Sequence, residues 1–547
     1  MKKYLYEIKH LILLNVICDL LATISLANIP YLTKKLFDSI GNSDETYLGI
    51  LILIYIGCNV LNLGLSYMEN LLNFKLGIAF EVSLKKDFFR TITNYSYKRF
   101  SAKDVGEYIS LQGNEITQLE MDYLTPFIDI IKSINIFIVY GVMFFAFIDW
   151  RIALVMLFSS IIATLIAPNL TAKKLSLRRK VYLDNMGLYV SKIKDLLEGF
   201  KLIKSKTRNN IFNEQERFLK DTAEYRFQYG KLKSFALIIN GAFIYLLHII
   251  SFAMVGYLLI KKEITIGTAV ATFGYIECFI SPMESLIYDI NTIKSTKSIK
   301  LKVLEFLRIN ENYKDLMVKK EFNSHIEFKN VTVNYENFSL KDFSYRFEKN
   351  KKYAIIGHSG SGKSTIINAL MRYVELNKGN IYIDDEKLED LDTSYIIHNV
   401  NQQEHIFASG YKNNVTIFNS FPFNKVSFLE NVLDKNMLNS IAEKSNCQDL
   451  SGGEKQVLVI YRMCLADASI CLMDEVFSAT DMNITNKLER FLLSMEDKTM
   501  IMITHKLSEQ LRYFDEILLM ENGKLVQNGT YEEICESMEY KKLRNAS

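Results

Sequence analysis

Gly357, His358, Ser359, Gly360, Ser361, Gly362, Lys363, Ser364 and Thr365 follow one another without interruption. The apolar run Tyr353-Ala354-Ile355-Ile356 precedes them, and Ile366-Ile367-Asn368-Ala369-Leu370 follows. A strand, a glycine-rich turn and a helix start in that order form a P-loop. Glycines let backbone N–H groups turn inward, and the positive end of the helix favours an anion beside them. Lys363 is then expected to reach the outer phosphates of a nucleoside triphosphate, and the Ser364 hydroxyl to ligate Mg2+.

The P-loop lies in the last two-fifths of 547 residues, and most of the chain before residue 300 is apolar. Six stretches reach the roughly 20 residues needed to cross a bilayer: 11–33, 47–74, 122–148, 152–172, 233–260 and 264–290. Short connectors join the third span to the fourth (Asp149-Trp150-Arg151) and the fifth to the sixth (around Lys261-Lys262-Glu263), whereas long polar stretches, 75–121 and 173–232, follow spans two and four. Lys85, Lys86, Arg90, Lys173, Lys174, Arg178 and Arg179 fall in the long connectors, and Lys2 and Lys3 precede the first span. Positive charge at span ends marks the cytoplasmic side. Six spans also return the chain to the side where it began, which is where a nucleotide-binding domain meets ATP. The first apolar run is too long for a signal peptide and contains Asp19, so it is expected to remain as a span,.

Two partner classes are not expected. The net charge is only +3 and lysines are dispersed, which gives no footprint for nucleic acid,. The seven cysteines show no close pairing, so neither a disulfide framework nor a cysteine metal site is expected,.

Near residue 310 the sequence turns to Asn, Lys, Glu and short alternating runs,. The expected organisation is multidomain: an all-α six-helix transmembrane domain over 1–305, a linker over 306–324, and an α/β P-loop domain over 325–547. In that last part Leu450-Ser451-Gly452-Gly453-Glu454-Lys455-Gln456 is followed by Ile470-Cys471-Leu472-Met473-Asp474-Glu475 and by Ile503-Thr504-His505. With the P-loop, these four ordered motifs resemble the nucleotide-binding domain of ABC transporters. One membrane unit fused ahead of one such domain resembles an exporter-type half-transporter.

The resemblance implies roles for individual residues. Asp474, at the end of an apolar strand, would hold Mg2+ with Ser364, while Glu475 would act as general base on the attacking water. His505 would hold that water or Glu475 against the γ-phosphate. Ser451, Gly452 and Gly453 precede a helix expected near Glu454, and would close over ATP held by a second half-transporter, identical or not. Tyr335 matches the aromatic that stacks on adenine, and Gln402, chosen over Gln403, matches the glutamine that senses Mg2+. Asp481, in Ser478-Ala479-Thr480-Asp481, matches the loop crossing the dimer interface. Some features depart from the family pattern: Glu454 stands where glutamine is usual, Thr480 where leucine is usual, and the acidic-glycine stretch before the signature is absent. The segment between Gln402 and Ser451 is also short.

The function implied is ATP-driven export of a peptide, drug or lipid across the cytoplasmic membrane by alternating access. ATP and Mg2+ would act at the cytoplasmic domain, with the N-terminus on the same side. An ATP-gated channel or a regulatory protein of the same build is the alternative. Short transverse helices are expected near Asn94–Ser101 and Ser205–Phe212. Asp19, Glu69, Asp129, His248, Glu277 and Glu284 fall in or near the spans, where an ionisable group is costly unless it faces water or a partner,.

Overall fold

The computed structural model describes all residues except 40–44, 148, 308–315, 403, 424–433, 478–481, 506, 508 and 547. Some side chains within helices, those of Glu277 and Glu284 among them, also lie outside the described set. The chain divides into two compact units: Met1–Asn94 with Lys103–Ile309, and Tyr95–Ala102 with Asn310–Ser547.

The first unit is helical. Its long elements are Lys9–Asp38, Glu45–Thr93, Thr125–Phe147, Trp150–Glu198, Arg208–Ile260 and Ile266–Ser295. Among the described residues, four helical stretches are long and apolar enough to cross a membrane: Lys9–Asp38, Glu45–Thr93, Val105–Phe147 and Arg208–Ile260. The other two expected spans fall in Trp150–Glu198 and Ile266–Ser295, where part of the apolar stretch lacks described side chains. Several helices run well beyond the apolar runs, because backbone hydrogen bonding continues where hydropathy ends.

Polar caps fix the short connectors. Asp149 accepts a 2.9 Å hydrogen bond from the Arg151 N–H and starts Trp150–Glu198, and Thr265 caps Ile266–Ser295,. Arg151 Nη1 also meets Glu263 Oε2 at 2.5 Å, which ties the two short connectors together at one end of the bundle. At its centre Tyr275 is fully buried, donates to the Ala27 carbonyl at 2.8 Å and packs edge-on against Tyr140 and Phe144.

In the second unit, a six-stranded sheet runs in the order Lys524–Gly529, Glu516–Glu521, Lys352–Gly357, Thr499–Ile503, Ile470–Asp474, Ile397–Val400. All neighbours are parallel except the first pair. Strands Lys352–Gly357, Thr499–Ile503 and Ile470–Asp474 are buried almost throughout, as continuous apolar runs in a sheet covered on both faces require,. An antiparallel sheet of Ser339–Glu348, His325–Asn334, Lys378–Ile383 and Glu386–Lys387 completes the unit. The short helix Tyr97–Ser101 belongs here too: Tyr97 packs on Tyr373 with ring centroids 4.4 Å apart, and Lys98 pairs with Glu375 at 2.6 Å. The second expected transverse segment is a turn that leads into Arg208–Ile260.

Candidate nucleotide site

The register of the parallel sheet decides where the motifs meet. Ile355 pairs with Ile503, and Ile503 with Asp474, so the P-loop, Asp474-Glu475 and Thr504-His505 all leave the sheet at the same carboxyl edge. Ligands of open α/β sheets bind at that edge.

The loop itself needs glycine at its two ends. Gly357 has φ +150°, and a Cβ there would run into the Met520 carbonyl oxygen. Gly362 has φ +101°, and a Cβ would lie 2.8 Å from Phe338 Cζ,. Between them His358, Ser359, Gly360 and Ser361 form the turn, and helix Lys363–Leu370 starts immediately, carrying Ser364 and Thr365 in its first turn. Lys363 is only 4% exposed and donates to the carbonyls of Gly357 and His358, both at 2.9 Å. Burial lowers its pKa, while Glu475 and Asp474 pull it back up,.

Burial raises the pKa of the Asp474 carboxyl, and the nearby Ser364 hydroxyl pulls it back down. Hydroxyl and carboxyl oxygens are the donor set that Mg2+ takes, so the pair fits the expected ion. Glu475 follows at φ +52°, its N–H donating to the Ile503 carbonyl at 3.1 Å. Its Oε2 accepts from Gln402 Nε2 at 3.3 Å, and its Oε1 lies 2.5 Å from His505 Nε2. Gln402 thus spends its amide nitrogen on Glu475 and leaves its carbonyl oxygen as a third hard donor.

Tyr335 is half-exposed at the end of its strand; its N–H donates to the Phe338 carbonyl at 2.7 Å, and Phe338 in turn abuts Gly362. The signature helix begins at Gly452, two residues earlier than expected, because Ser451 caps it. Ser451 and Glu454 form a reciprocal capping box, the Ser451 N–H donating to Glu454 Oε2 at 2.8 Å,. Among the described residues no hydrogen bond or ion pair joins Ser451, Gly452 or Gly453 to the P-loop. Asp481 lies outside the described residues.

Two residues had escaped sequence reasoning. Asn414 is fully buried; its side chain donates to the carbonyls of Phe407, Ser409 and Gly410 and accepts from the Phe407 N–H at 2.8 Å. Arg462, on the signature helix, donates to the carbonyls of Asn414 at 2.9 Å and His405 at 3.1 Å, and pairs with Glu404 at 3.6 Å. The segment that begins at Gln402 is therefore pinned to the signature helix. A lone arginine amid the apolar run Val457–Met463 was the available signal.

In the helical unit, Asn135 donates to Asp19 at 2.9 Å, and Lys132 pairs with Glu69 at 2.6 Å and donates to Asn73 at 3.2 Å. Asp129 and Asp289 line a separate cavity of about 860 Å³ with Arg179, Tyr229 and Lys233.

Two family models match the chain: the ABC transporter transmembrane region over residues 12–283 and ABC transporter over 340–478. An ATP-dependent lipid A-core flippase of Wigglesworthia glossinidia brevipalpis is 26% identical over 483 residues, which span 83% of this chain and 81% of that protein. The uncharacterized ABC transporter ATP-binding protein YknU of Bacillus subtilis is 26% identical over 378 residues, 64% of this chain and 63% of that one. In fold the chain is similar to a bacterial Atm1-family ABC exporter solved with ATP bound, at TM-score 0.86, 17% identity and 99% coverage of both. The chain belongs to the ABC transporter superfamily, as an exporter-type half-transporter with an ATPase domain fused behind its membrane region.

Proposed function

We propose that two such chains, identical or paired with a second half-transporter, export an amphipathic substrate across the cytoplasmic membrane at the expense of ATP. The observation that carries this reading is the Gln402–Glu475–His505 cluster at the mouth of the P-loop. A carboxylate held from two sides beside the phosphate site suits a general base, and a protein that only gated or sensed ATP would not need one so positioned.

In this reading the P-loop N–H groups and Lys363 hold the phosphates, and Tyr335 offers a face to adenine. Ser364, Asp474 and Gln402 supply oxygens to Mg2+, which when bound offsets charge on the phosphates. Glu475 takes the proton of the attacking water, and His505 orients the carboxylate. Ser451, Gly452 and Gly453 serve the ATP of the opposing subunit through the N–H groups of their helix start, with Asp481 beside the dimer seam. Hydrolysis releases that closure. Because Arg462 and Glu404 link the signature helix to the Gln402 segment, loss of the γ-phosphate contacts is relayed to the signature helix through packed groups.

The membrane region then alternates its cavity between the two sides, as bistable helical interfaces do. The lysines and arginines of the long connectors support a cytoplasmic N-terminus and ATP-binding domain,. The flippase relative favours a lipid among the substrates, beside peptides and drugs. The test is ATPase activity of the reconstituted protein against a panel of lipids, peptides and drugs, with transport into sealed inside-out vesicles. Stimulation coupled to vesicle uptake is expected. ATP hydrolysis that no candidate stimulates and that moves nothing would favour the regulatory alternative.

A further inference from the structure

Helices Trp150–Glu198 and Arg208–Ile260 enclose a groove of about 640 Å³ between them. Lys174, Leu177 and Arg178 line one wall at helical spacing, and Lys231, Phe235 and Ile238 line the other,. No carboxylate lines the groove, and none of its three cations has an ion-pair partner among the described residues. The contrast with the next residue is sharp: Arg179 turns away and pairs with Asp122 at 3.2 Å. The helix neutralises one cation inside the bundle and leaves its neighbour uncompensated.

The apolar side chains pose a second problem. Leu177, Phe235 and Ile238 are 64%, 56% and 69% exposed. Unpaired cations and bare aromatic and aliphatic side chains together are satisfied by neither water nor hydrocarbon alone. Their position suggests the medium that satisfies both. The apolar run of the fourth span ends at Lys173-Lys174, and that of the fifth begins at Lys233. The groove therefore lies where both helices pass from apolar to basic sequence, at headgroup depth on the side bearing the positive connectors.

We propose that this groove binds an anionic phospholipid of the cytoplasmic leaflet, with its phosphate among Lys174, Arg178 and Lys231 and an acyl chain along Leu177, Phe235 and Ile238. Free phosphate would leave the apolar wall bare, and a zwitterionic headgroup would leave the cations uncompensated. The lipid here is a bound component rather than cargo, so the site is independent of the transport reading and of the nucleotide site.

The test uses the full-length protein, delipidated in detergent and titrated with phosphatidylglycerol or phosphatidylcholine of identical chains, with bound lipid counted by native mass spectrometry. Wild type should retain phosphatidylglycerol in preference. The triple variant Lys174→Gln/Arg178→Gln/Lys231→Gln should lose phosphatidylglycerol affinity by on the order of 100-fold, about fivefold per charge, with phosphatidylcholine unchanged. The charge-conserving set Lys174→Arg/Arg178→Lys/Lys231→Arg should keep it, and basal ATPase should be the same in all three proteins. Equal retention of the two lipids by wild type would overturn the proposal, as would equal loss in both variant sets. Displacement by millimolar inorganic phosphate would reassign the groove to a soluble anion. Efficient cross-linking of Leu177→Cys to Phe235→Cys between protomers, in a background lacking the native cysteines, would reassign it to a second copy of the chain.

Discussion

His505 Nε2 lies 2.5 Å from Glu475 Oε1, on the side of the carboxylate opposite the 3.3 Å bond from Gln402 to Oε2. Glu475 is also held at φ +52°, a conformation costly for a side chain with a Cβ,. The fold accepts that strain to turn the residue after Asp474 out of the sheet, and the two neighbours then fix where its carboxylate points.

Glu475→Gln is therefore expected to bind ATP normally and hydrolyse it at least ~100-fold more slowly, the usual worth of a positioned base. The amide keeps the size of the side chain, so the mutant should accumulate as a closed ATP-bound dimer. Phosphate release and size-exclusion profiles with ATP measure both. Near-normal turnover would remove Glu475 from the role of base.

Lys363→Ala should act at a different step. Its ammonium is already desolvated and held by two loop carbonyls, so it meets an incoming phosphate with little reorganisation. Deleting a charge-assisted contact should weaken nucleotide binding roughly 10- to 100-fold. Unchanged affinity in equilibrium binding would count against the phosphate contact.

The sheet core of this site was legible because its signals are local. Four apolar residues before Gly357 and four before Asp474 read directly as buried parallel strands, and both are. Gln402 donates to Glu475, while Gln403 lies outside the described residues. What sequence could not supply was partnership across the chain. Asn414 and Arg462 are 48 residues apart and join only through tertiary packing. Lys132, which neutralises Glu69, has no local sequence signal, since hydropathy does not tell which polar residues face each other. Span ends were blurred for a related reason: Glu45–Thr93 continues as helix long after its apolar run stops.

Asn414→Ala should destabilise the ATP-binding unit without touching the phosphate site. It strips partners from the Phe407 N–H and from three carbonyls at once, and unsatisfied buried groups cost about 1–3 kcal/mol each where water does not replace them,. A fall in unfolding temperature of roughly 5–10 °C is expected. The neighbouring Asn413→Ala, which loses a single bond to the Ser409 hydroxyl, should shift it less. Equal effects in thermal unfolding would mean that Asn414 is not the hub.

Cys464 and Cys471 should resist thiol reagents in the folded protein. Burial pushes both thiols up to about 12, so at pH 8 only about one in ten thousand is thiolate. Raising the pH toward 12 increases the thiolate fraction, and unfolding restores an ordinary value. Maleimide labelling at pH 8 followed by peptide mass spectrometry should find both unmodified until denaturant is added. Rapid native labelling would contradict the burial of Cys471 and the raised pKa of the part-buried Cys464.

The last expectation concerns what the membrane cavity attracts. The side chains of Glu277 and Glu284, two of the ionisable residues expected in or near the spans, lie outside the described set. The carboxylate in view is Asp289, 4% exposed, with Oδ2 bonded to no described donor and Asp129 lining the same cavity. A buried carboxyl without a partner is costly to ionise, and a substrate bearing an amine would favour its ionised form far more strongly than the same pair could in water. Asp289→Asn should then raise the concentration of a cationic amphiphile needed for half-maximal ATPase stimulation by at least ~10-fold, leaving basal hydrolysis unchanged. The same substitution removes a buried carboxyl whose Oδ2 has no described partner, so the variant should unfold at the same temperature as wild type or higher,. That second readout separates a lost binding contact from a damaged fold. Unaltered stimulation by cationic amphiphiles, in a variant of equal or greater stability, would show that Asp289 does not meet the substrate.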